Sequence, residues 1–151
     1  MSKTESANLI LKLYELRREE KMRASRNWMI SFFPESTTDI MQALSNPETS
    51  DYLRMVLSYW DMAASFVNHG AIDEEMFIDA NGEFFGAFSK IEPFLTEFRE
   101  TSGIQNYLKN LETLVLRQPD AKERLAKSRE SIKRWMQARA ENVTGWNGVK
   151  R

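Results

Sequence analysis

Apolar residues recur along this chain at spacings of three, four and seven, and nowhere do they alternate as a half-buried strand requires. Glycine and proline are few, and long stretches consist of good helix formers. Helix boundaries follow from cap chemistry. A first helix is predicted from near Thr4 to Phe33, where Pro34 stops it, and a short second one follows Ser36-Thr37-Thr38 with Ile40, Met41 and Leu44 on one side. Asn46 as N-cap and Pro47 at the first helical position open a third helix over about 47–69. Gly70 is placed to close it with a left-handed cap. Asp73 then caps a fourth helix over about 73–99, with Ile72 and Phe77 at hydrophobic-staple spacing and a kink expected at Pro93. Ser102 with Gln105 starts a fifth over about 103–117, and Asp120 with Glu123 a sixth over about 120–142. Residues 142–151 read as a loose tail in which Trp146 is the one docking candidate. The prediction is an all-α, single-domain bundle of about six helices with a central antiparallel helix hairpin, about 47–69 and 73–99.

The third helix has the widest apolar arc. At about 100° per residue, Leu53, Val56, Trp60, Ala63, Ala64 and Val67 share one side, and Met55, Tyr59, Met62 and Phe66 extend it. The remaining stripe is polar: Arg54, Ser58, Asp61, Ser65, Asn68 and His69. Arg54, Asp61 and Asn68 stand seven apart beside apolar surface, so Asp61 is a candidate for a part-buried pair or a groove carboxylate.

The absence of cysteine removes disulfides, thiolate metal sites and thiol nucleophiles. The apolar run at Leu9–Leu13 is too short for a signal peptide core or a membrane span, so a soluble cytoplasmic protein is expected. A formal net charge of -1 hides a split. Residues 3–28 carry seven basic against four acidic side chains, as do residues 120–141, while residues 35–101 carry thirteen acidic against three basic. Such a split reads as compensation between segments of one fold or between subunits.

Histidine occurs once, in SYWDMAASFVNHGAIDEEMF, close to Asp61, Asp73, Glu74 and Glu75. A helical di-metal site needs Glu-x-x-His pairs, but Phe66 stands three before His69 and there is no second histidine. Zinc-protease, nucleophile-elbow and phosphate-loop motifs are missing too. Capping accounts for the whole cluster: His69 closes one helix and Asp73 opens the next. No catalytic, cofactor or metal residue is assigned, and no enzyme activity is expected.

Six of the nine phenylalanines fall in MFIDANGEFFGAFSKIEPFLTEF, around Gly82 and Gly86. Each mid-helix glycine costs roughly 1 kcal/mol against alanine, so a close helix crossing, a Phe-lined ligand pocket or an interruption at Asn81-Gly82 is implied. The last helix has a thin seam of Leu125, Ile132, Trp135 and Met136 between basic residues, and the first a short one of Leu9, Leu13 and Leu16.

Trp60-Asp61, Val67, Gly70, Ile72 and Asp73, then Ile91, Pro93 and Arg99 form a pattern that resembles an uncharacterised bacterial all-helical domain family, over about residues 45–118. The resemblance implies the helical arrangement and no activity. Some relatives carry an N-terminal membrane segment, which this charged first helix does not match. Asp61 stands where the family often has glutamate, so no role is carried over to it. The expected function is a non-enzymatic interaction or structural module that self-associates, or meets a protein partner, through its terminal helices. The alternative is an apolar small molecule or lipid in a Phe/Met-lined cavity. A weaker one is docking of the basic termini on nucleic acid or a membrane surface; no nucleic acid and no membrane span are expected.

Overall fold

The computed structural model describes residues 2–149, with side chains through 142. All of its regular elements are helical, so the chain is an all-α single domain. Its first segment differs from the single long helix predicted. α1 (Lys3–Arg17) ends two residues before α2 (Glu20–Ile30), and the Glu19 carboxylate accepts hydrogen bonds from the Lys21 and Met22 amides (3.1 and 3.0 Å). The reason is the phase of the buried positions. On one continuous helix, Met22 and Met29 would stand roughly 160–180° from Leu13. The break lets Leu13 and the two methionines enter the same core.

α3 (Thr37–Ser45) starts on the Ser36 hydroxyl, which accepts from the Asp39 amide (3.2 Å). Asn46 caps the following turn, its Oδ1 accepting from the Glu48 amide at 2.9 Å, but residues 47–49 stay a turn and α4 (Ser50–Asn68) begins at Ser50. α4 is the centre of the molecule, as its wide apolar arc predicts. It packs most extensively on α2 and on α8 (Lys109–Leu116), and also on α3 and the helices that follow it. It buries Leu53, Val56, Leu57, Trp60, Ala63 and Ala64 completely or nearly so.

The predicted fourth helix is divided into α5 (Glu74–Ala80), α6 (Glu83–Ile91), a 3-10 turn at Glu92–Phe94 containing Pro93, and α7 (Leu95–Ser102). At the first division the Asn81 side-chain amide donates to the Phe77 carbonyl (3.0 Å), taking the acceptor that the Asn81 backbone N–H would use in a continuing helix. Of the alternatives for the Phe-rich stretch, interruption at Asn81-Gly82 and a close crossing both hold. Gly82 is the N-cap of α6, whereas a Cβ on Gly86 would stand 3.1 Å from Ile132 Cδ1. Phe77, Phe84 and Phe88 are buried, and Trp60, Phe77 and Phe84 form an aromatic cluster with ring centroids 5.3–6.4 Å apart.

The fifth helix is also shorter than predicted. Gly103 (φ +77°) ends α7, residues 105–108 make turns, and α8 starts only at Lys109 after Leu108 takes a left-handed conformation (φ +56°). Asp120, expected as an ordinary N-cap, is left-handed as well (φ +53°) and precedes α9 (Ala121–Val149). The α9 backbone stays helical past the boundary at about 142 where a tail was expected. Docking of Trp146 lies outside the described side chains. Ala121 and Leu125 are buried against the body, Ile132 and Met136 are half-buried, and Trp135 is 58% exposed.

Candidate functional site

The histidine-carboxylate cluster separates into two helix ends. α4 finishes in a Schellman motif: the Gly70 amide donates to the Val67 carbonyl (3.0 Å) and the Ala71 amide to the Phe66 carbonyl (2.8 Å), with Gly70 at φ +79°. His69 Nδ1 lies 2.8 Å from the Ser65 carbonyl, a last-turn acceptor. Asp73 caps α5 through the Met76 amide (2.9 Å), and its own amide donates to the buried Ser6 hydroxyl (2.9 Å). Glu74 turns away to Arg117, which also donates to Asn68 Oδ1 (2.8 Å). The hydrogen bonds from Arg117 hold the Glu74 carboxyl below its ordinary pKa. Among the described residues no three or more His, Cys, Asp or Glu side chains are grouped so that they could hold a metal ion.

Asp61 has a structural assignment. Leu108, left-handed, offers no side-chain cap to α8, and Asp61 on α4 fills the vacancy: its Oδ1 accepts from the Leu111 amide (2.9 Å) and its Oδ2 lies 3.4 Å from the Asn110 side-chain nitrogen. Asn68 adds a bond to the Asn110 carbonyl (2.9 Å). Asp61 and Asn68 thus fasten α8 to α4, while Arg54 pairs with Asp51 (2.6 Å) and takes no part. A negative charge at a helix N-terminus, supplied from another element, is favourable for both hydrogen bonding and the dipole.

An apolar groove lies elsewhere, between α2, α6 and α9. It is a groove of about 310 Å³ lined by Met29, Ile30, Ala87, Ile132 and Trp135, with charged residues at either end. At one end Arg26 forms a fork-to-fork pair with Glu83 (2.8 and 2.9 Å), which raises the Arg26 pKa, and Arg17 approaches Glu83 to 3.9 Å. Beneath this pair the buried Tyr59 hydroxyl donates to the Leu13 carbonyl (2.5 Å), and burial pushes its pKa up to about 12. At the other end stands Lys90, 4% exposed. Its ammonium donates to the last carbonyls of α2, Met29 (2.5 Å) and Ile30 (2.9 Å), and lies 4.3 Å from the centre of the Phe33 ring. Burial lowers its pKa to about 8.

Lys90 and the groove were missed by the sequence reading. The available signal was the single lysine of an aromatic-rich run, Phe84 to Phe98, where the helical phase sends it inward. A Phe-lined pocket was one alternative for this stretch: the buried phenylalanines of α5 and α6 fill the core, and the groove wall is Met, Ile, Ala and Trp.

The helical framework places the molecule in the class of all-α single domains with a central α4. The chain belongs to the family described as Domain of unknown function (DUF4760), whose model matches residues 4–118, from α1 to the end of α8. No curated protein and no solved structure matches the chain. Among the described residues no helix is long and apolar enough to cross a membrane.

Proposed function

We propose that this domain is a non-enzymatic helical interaction module that self-associates through the outer half of α9. The observation that carries this reading is the mismatch between the length of α9 and what the body covers. Among the described side chains its last fully buried one is Leu125, and beyond the Ile132 crossing its apolar seam continues through Trp135 and Met136. A narrow seam on a long charged helix buries enough area only when a second surface meets it. A second copy supplies complementary charge: Lys133, Arg134 and Arg139 flank the seam, and Glu48, Glu75, Asp79, Glu97 and Glu100 are exposed elsewhere on the body. The lack of cysteine suits work in a reducing cytosol.

The test is sedimentation of the full chain and of a Trp135→Glu, Met136→Glu double variant. The wild type is expected as a dimer that the variant converts to a folded monomer. A monomeric wild type, or a variant that stays dimeric, overturns the reading.

A further inference from the structure

We propose that the groove between α2, α6 and α9 binds a single-chain anionic amphiphile of the fatty-acid type, with its tail along Met29, Ile30, Ala87, Ile132 and Trp135 and its head group on the Lys90 ammonium. This goes beyond the interaction-module reading and does not rest on it. The first support is size and lining. At about 310 Å³ the groove stands at the lower end of small-ligand sites, roughly 300–1,000 Å³, and such sites combine an apolar wall with few polar anchors.

The second support is charge. An ammonium has three N–H donors, and two of them go to the Met29 and Ile30 carbonyls. Carbonyl dipoles reduce the cost of burying a cation, whereas a carboxylate would neutralise it. The charged groups around Lys90 are Glu83 on its own helix, Arg26 of α2, Glu35 beyond α2, and Arg129, Glu130 and Lys133 of α9. Glu83 is committed to Arg26, and Arg129 reaches the Ser89 carbonyl (2.8 Å) and Glu92 (3.8 Å). Lys90 is left as a buried cation whose protein partners are neutral. The groove therefore offers one uncompensated positive charge next to an apolar wall, which is the complement of an anionic head on an alkyl chain. At the opposite end Glu83 matches Arg26, and Arg17, which also approaches Glu83 (3.9 Å), does not line the groove, so no unpaired charge faces the ligand there.

Calorimetric titration of the wild-type chain with decanoate, decyl phosphate and decanol, at about pH 7 and about pH 9.5, tests the inference across the lysine's titration. Decanoate is expected to bind at least tenfold more tightly than decanol at the lower pH, and to lose most of that advantage at the higher one. Decyl phosphate binding alongside decanoate supports the same cation and widens the head-group class. Equal affinity for decanoate and decanol, or no binding by either anion, overturns the inference. A Lys90→Met variant should abolish the preference for decanoate; if it folds and keeps that preference, the assignment fails. If loss of the α2 contacts unfolds it, the wild-type head-group comparison decides alone.

Discussion

Lys90 carries its charge where water has largely been replaced by protein, and its titration is coupled to folding. Its pKa in the folded chain is about 8, below the ordinary 10.5, because burial disfavours the charged form. Between those values the unfolded chain binds more protons than the folded one, so the lysine's contribution to stability increases as pH rises through about 8 to 10.5 and is lost again as pH falls through 8. A neutral amine still has two N–H donors, matching the two carbonyls of α2. Urea midpoints of wild type and Lys90→Met, compared at several pH values across the window, should diverge in favour of the wild type; a constant difference would refute the linkage. Single residues differed in how far they could be read in advance. Gly70 was legible because a glycine between an ending helix and an Ile-Asp start has one economical use, a left-handed cap. Lys90 was not, because composition cannot say that one lysine's helix face points inward.

At the scale of elements, α8 shows how a helix end can be completed from outside. The Asp61 carboxylate does for α8 what a local serine or aspartate does elsewhere. Replacing an N-cap carboxylate by alanine costs about 0.5–2 kcal/mol, so Asp61→Ala should lower stability by that order, and Asp61→Asn, which keeps an acceptor, by less. Hydrogen exchange at the Leu111 amide should accelerate in the alanine variant more than exchange in α2. Helix existence was largely legible from periodicity, but continuity was not. The predicted first and fourth helices are divided where Glu19, Asn81 and Pro93 give the backbone another set of hydrogen bonds or remove a donor. Those divisions depend on which face meets the core, a tertiary fact that a local pattern carries only in part.

For the molecule as a whole, the split in charge resolves into pairs between distant segments. Lys3 meets Asp73 (3.7 Å), Lys21 meets Asp51 (3.3 Å), Arg117 meets Glu74 (2.6 Å) and Lys122 meets Glu92 (2.7 Å). Compensation within one fold was one of the two readings the sequence allowed. α9 lies beyond the residues matched by the family model, and its attachment turns on the crossing at Gly86. A leucine there would collide with Ile132 and lift the helix from α6. Gly86→Leu is expected to destabilise by about 1–3 kcal/mol, with faster proteolysis within α9 than within α4; an unchanged melting temperature would refute the close approach.

The cap on α8 also bears on folding. An eight-residue helix lacking its own cap is far too short to persist alone in water. Its missing acceptor comes from a residue fifty positions earlier. α8 therefore gains that acceptor only when α4 and the intervening chain have come together, so its formation is coupled to a long-range contact.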